Sequence, residues 1–117
     1  MKAMWGILLA AGLAGCTSVS DIEQSHETMD VISGKEPKAY AQCLATKLQE
    51  SRGELTIEPM GHGYRVVVPQ KLASGPAAVV LVDERSGGSS IKVHERLSNL
   101  PVRFGDVRQA ATDCISG

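Results

Sequence analysis

Three histidines, three cysteines and a scatter of carboxylates are the side chains of this 117-residue chain best suited to chemistry. His62 stands between Gly61 and Gly63, where an exposed imidazole could bind a metal or respond to pH. No second ligand lies at a spacing that metal sites use, so a turn residue tolerated in solvent is the simpler reading. His94 and Glu95 could face Asp83 or Glu84 across a hairpin, as a small cross-strand charge cluster. Asp83, His94 and any serine supply the residue types of a hydrolytic triad, but no Gly-x-Ser-x-Gly elbow accompanies them. Gly87-Gly88 lacks the spacing and the lysine-led helix of a phosphate loop. His26 sits in a polar stretch with nothing specific beside it. Arg85, Lys92 and Arg96 interleave with Asp83, Glu84 and Glu95, which describes a solvated mixed-charge face. These residues argue against an enzyme and imply no metal and no cofactor.

The cysteines carry more. Lys2 supplies a positive start, Trp5 to Gly12 a short apolar core, and Leu13-Ala14-Gly15-Cys16 a small-residue exit. A spanning helix needs about 20 apolar residues, and this run is well short of that. It has instead the three regions of a secretory signal. The exit resembles a bacterial lipobox, in which the cysteine thiol receives a diacylglyceryl group and the chain is cut just before it. Ala14 and Gly15 leave that peptide bond accessible, and Cys16 carries the thiol that becomes a thioether. Ordinary secretion, with Cys16 left free, is the alternative. One acyl chain anchors marginally and two anchor stably, so a triacylated Cys16 would hold the protein on a membrane without a spanning helix. Thr17 is not the aspartate of the inner-membrane retention signal, which points to the outer membrane, facing the periplasm, with exposure at the cell surface as the alternative.

With Cys16 lipidated, Cys43 and Cys114 remain. An even pair in an oxidising compartment reads as a disulfide, against two buried free thiols. No Cys-x-x-Cys spacing suggests a redox site. Without its first fifteen residues the chain keeps roughly a hundred, enough for one domain with a modest core. The formal charge is −1, a balance that argues against nucleic acid, which rewards clustered Lys and Arg. One Phe, two Tyr and one Trp leave few stacking platforms.

These residues need elements to position them. Residues 1–15 form the signal and residues 16–36 the lipidated cysteine and a polar tether, in which neither a helical nor a strand period persists. Met29 to Ile32 could dock on the domain and shorten the free part. The domain proper spans residues 37–117. Pro37 suits a first helical turn and Gly53 a C-terminal stop, with Tyr40, Cys43, Leu44 and Leu48 on one face. Leu55 and Ile57, then Tyr64, Val66 and Val68, alternate around Gly61-His62-Gly63 as a hairpin. Pro59 marks a strand end or an edge. Ala78 to Val82 reads as a central strand. Ser86-Gly87-Gly88-Ser89 turns the chain, and Ile91 and Val93 return it. Ala73-Ser74-Gly75-Pro76 is a loop between the hairpins. After Asn99-Leu100-Pro101, Phe104, Val107, Ala111 and Cys114 recur at helical spacing. The expected fold is α+β: helix, four antiparallel strands, helix, with both helices on one face of the sheet.

The spacing of "YAQCLATKL", "GYRVVV", "KVHERL" and "ATDC" resembles small proteobacterial lipoproteins with a signal, a polar tether, a first-helix cysteine and a cysteine near the C-terminus. That resemblance implies no activity. The helices can cover one sheet face only, while Val66 to Val68 and Val79 to Val82 put apolar side chains on both. Surface left on the other face would be an interaction site, a dimer face or a groove for the tether, with Val67, Val80 and Val82 as its candidates. The expected role is a non-catalytic binding or assembly module of the envelope with a protein partner. The alternative is a small ligand-binding, metal-binding or hydrolytic domain built on the turns around His62 and His94.

Overall fold

Period-2 alternation with β-branched residues builds most of this molecule. A computed structural model describes residues 19–71, 75–96 and 105–116. The stretch read as a signal, Cys16, Ala73-Ser74, Asn99-Leu100-Pro101 and Phe104 lie outside the described residues. In chain order the elements are α1 (Val19–Glu23), β1 (Glu27–Ser33), α2 (Pro37–Arg52), β2 (Thr56–Met60), β3 (Gly63–Pro69), β4 (Pro76–Arg85), β5 (Gly88–Glu95) and α3 (Asp106–Asp113). The strands form one antiparallel sheet in the order β1-β5-β4-β3-β2.

The fold is α+β, but the sheet has five strands where four are expected from sequence. The fifth is β1, from the stretch read as tether. It pairs with β5 from Glu27 opposite His94 to Ser33 opposite Ser89, with an irregularity between Glu27 and Met29. That irregularity and the polar neighbours hide its alternation, and its stability comes from the β5 ladder more than from its own propensity. The docking anticipated for Met29 to Ile32 thus takes the form of strand pairing. Ahead of it stands α1, five residues long and too short to persist without tertiary contacts. Residues ahead of Pro37, in α1 and β1, therefore belong to the described fold.

The expected bounds of α2 hold. Pro37 opens it, and Gly53 closes it at φ 79°, donating its N–H to the Gln49 carbonyl at 2.9 Å. Tyr40, Ala41, Leu44 and Leu48 are buried against Val66, Val68, Ala78, Val80, Val82, Ile91 and Val93, and Val107, Ala110, Ala111 and Cys114 complete this cluster. Both α2 and α3 therefore cover the same face of the sheet. β4 is central and β2, which carries Pro59, is an edge. Two tight turns connect the hairpins: Gly61 takes a positive φ before His62, and Ser86 and Gly87 both do so between β4 and β5, the pattern that right-twisted strands favour.

The other face is also partly covered. Val79 and Ile22 are buried yet stand outside the main cluster. Register places Thr56, Val67, Val79 and His94 in one row of this second face, and Glu58, Arg65, Leu81, Lys92 and Asp30 in the next. α1 contacts β4 and β5, Glu23 bonds Arg65, and the Ser25 carbonyl meets the His94 ring. All three ties lie on this face. A main two-layer body thus carries a short third layer.

Candidate functional site

The two histidines proposed for a ligand site do not meet. His62 is exposed at the β2–β3 turn, where its carbonyl accepts the Glu84 amide at 2.9 Å. His94 is buried on the second face at the other end of the sheet, opposite Val79 and Glu27. Its Nδ1 lies 2.9 Å from the Ser25 carbonyl oxygen, and since a carbonyl only accepts, Nδ1 carries the hydrogen. The imidazole therefore holds the α1–β1 link to the sheet. The cluster expected of His94 and Glu95 with Asp83 and Glu84 does not form. Register pairs Asp83 with Ser90 and Glu84 with Ser89, while Glu95 pairs with Ala78 on the helix-covered face.

The valine candidates separate likewise. Val80 and Val82 are fully buried under the helices, so neither offers an interaction surface. The alternation within β4 sends its even-numbered residues inward, and only Val67 of the three lies on the second face, half-buried. What that face exposes instead are Ile32, 57% accessible, and Met60, 40% accessible. Register puts both in one row across the sheet, Ile32–Ser90–Asp83–Gly63–Met60. Sequence reasoning missed this pair. The adjacent apolar residues Val31-Ile32 were its only signal.

An open cleft of about 480 Å³ lies between the start of α2 and the β2–β3 turn, lined among others by Glu36, Lys38, His62, Tyr64 and Glu84. Among the described residues, no three His, Cys, Asp or Glu side chains converge as metal ligands would.

Elsewhere the polar side chains join elements. Arg52 grips Asp106 with Nε and Nη2 at 2.9 and 2.8 Å, Ser51 donates to the same carboxylate at 2.7 Å, and Arg52 Nη1 reaches the Pro69 carbonyl. This ties the end of α2 to the start of α3. The Arg52 hydrogen bonds hold the Asp106 carboxyl down at about 2, against the opposing effect of its partial burial. On the second face Arg65 bonds Glu58 and Glu23, and these bonds raise the guanidinium's already high pKa. Tyr40 donates its hydroxyl to the Ala111 carbonyl in the core, and burial pushes its pKa up to about 12.

Cys43 and Cys114 form a disulfide, with Cα atoms 5.9 Å apart, inside the usual range. It joins α2 to the end of α3 across a sequence separation of 71. Closing a loop of that size stabilises the fold by roughly 4 kcal/mol in the chain-entropy model. Among the described residues no helix is long and apolar enough to cross a membrane. Compared with models of protein families, with curated proteins and with solved structures, the chain matches none.

Proposed function

We propose that this chain is a lipid-anchored module of the bacterial cell envelope. It is held through Cys16 on the periplasmic side of the outer membrane and works by binding a protein partner rather than by catalysis. The observation that carries the reading is the division of the cysteines. Cys43 and Cys114 are joined to each other, as suits an oxidising compartment, and Cys16 is the residue that the Leu13-Ala14-Gly15-Cys16 exit offers to lipid. The non-catalytic part is supported by the structural engagement of the polar side chains, with His94 on Ser25, Asp106 on Arg52 and Arg65 on two glutamates. A joint site of His62 and His94, the competing idea, loses its basis because the sheet holds them apart.

Replacing Cys16 by Ser tests the anchor. Acyl-chain labelling should vanish and the protein should become soluble or stay uncleaved. Unchanged labelling and membrane retention in that variant would refute the reading. Crosslinking in intact envelopes, followed by capture of the wild-type chain, should return a protein partner.

A further inference from the structure

A tether was expected to let the domain stand off the membrane, but the ordered fold leaves almost no chain for one. α1 begins at Val19, three residues after Cys16. Three residues span at most about 11 Å when fully extended, whereas a domain of roughly a hundred residues is about 30 Å across. α1 is not a free helix end either. Ile22 is 2% exposed, Glu23 is bonded to Arg65, and Ser25 is bonded to His94. All of these contacts fix it on the second face of the sheet. Building on the lipid anchor at Cys16, we propose that the domain lies directly on the phospholipid surface with this second face towards the lipid. The outer faces of α2 and α3 are then turned away from the membrane.

The chemistry of the face fits a surface contact imposed by the short leash. The exposed side chains Ile32 and Met60 flank it in one row, at opposite edges of the sheet, about 19 Å apart by strand spacing. Between them Arg65 is paired with Glu58 and Glu23 and Lys92 lies 3.9 Å from Glu27, while Asp30 and Asp83 in the same rows leave the face net negative. No cationic surplus draws the face to anionic headgroups, so the short leash holds it there and zwitterionic headgroups suit it best. Any protein partner then meets α2 and α3.

The chain's one tryptophan is Trp5, within the signal, so the processed chain has a silent background for a fluorescence test. Processed, lipidated protein carrying either Met60→Trp or Gln49→Trp is placed in phosphatidylcholine vesicles with a nitroxide on some headgroups. Gln49 is exposed on the outer side of α2. The Met60→Trp protein should lose most of its emission, and the Gln49→Trp protein should keep most of its own. Inserting about twelve Gly and Ser residues between Thr17 and Ser18, with a mean span near 19 Å, should restore the Met60→Trp signal. Equal quenching at the two positions overturns the proposed orientation, and unchanged quenching with the long insert overturns the leash as its cause. The mass of the same preparations separates the two levels. A bare Cys16 refutes the anchor and the orientation together, while a lipidated protein with equal quenching refutes the orientation alone.

Discussion

Asp106 shows how single side chains hold this fold. Its carboxyl sits at about 2 because Arg52 and Ser51 hydrogen-bond the charged form, against an ordinary value of 3.8. A folded-state value below the unfolded one stabilises the fold at every pH above about 4, and that contribution is lost as pH falls towards 2. With solvent screening it amounts to about 1 kcal/mol. Asp106→Asn should lower stability by that amount at pH 7 and flatten the loss between pH 4 and 2. Denaturant titrations at the three pH values measure both effects. Gly63 is a steric case. A Cβ built there would sit 1.8 Å from the Val82 carbonyl oxygen, so β3 must move away from β4. Gly63→Ala should cost more than 2 kcal/mol, seen as a lowered denaturation midpoint, whereas a silent substitution would show that the strands separate easily.

At the scale of elements, α1 carries the most informative prediction. Ile22 is its one buried side chain, so Ile22→Ala should destabilise the whole fold by about 2 kcal/mol. It should also speed amide exchange in β1 and β5. If only residues 19–25 exchange faster, α1 is an appendage rather than a layer. The disulfide is the second element-level device, and a Cys43→Ser, Cys114→Ser double variant should lose up to roughly 4 kcal/mol. What was legible in the sequence follows the strength of each local pattern. α2 was readable because Pro37, Gly53 and a face of large apolar residues agree, and β3 and β4 because Val66, Val68, Val80 and Val82 alternate through the core. α1 and β1 were not. Five residues around a single Ile22 give no helical period, and β1 has an irregularity beside Glu27 and takes its stability from β5. The two elements missed are those that depend on partners distant in sequence.

At the scale of the molecule, the candidate site was less legible than the fold, because a site depends on which face a residue takes. Val67, Val80 and Val82 are indistinguishable by type, yet the pairing of β3 with β4 buries two under the helices and sends one to the second face. His62 and His94 share a type, and register sets them at opposite ends of the sheet. The disulfide was legible because covalent chemistry needs few residues. Cys43 packs inward from α2, Cys114 is buried just past the end of α3, and the two are bonded, while Cys16 ends the four-residue pattern on which the proposed anchor rests. The account rests on that division, and one measurement reads all of it: the intact mass of the non-reduced protein taken from the membrane fraction. The account predicts a chain that begins at Cys16, heavier by a diacylglyceryl group and an N-acyl chain, and lighter by about two protons than its reduced form. A chain that keeps residues 1–15, or that begins elsewhere with an unmodified Cys16, would contradict it.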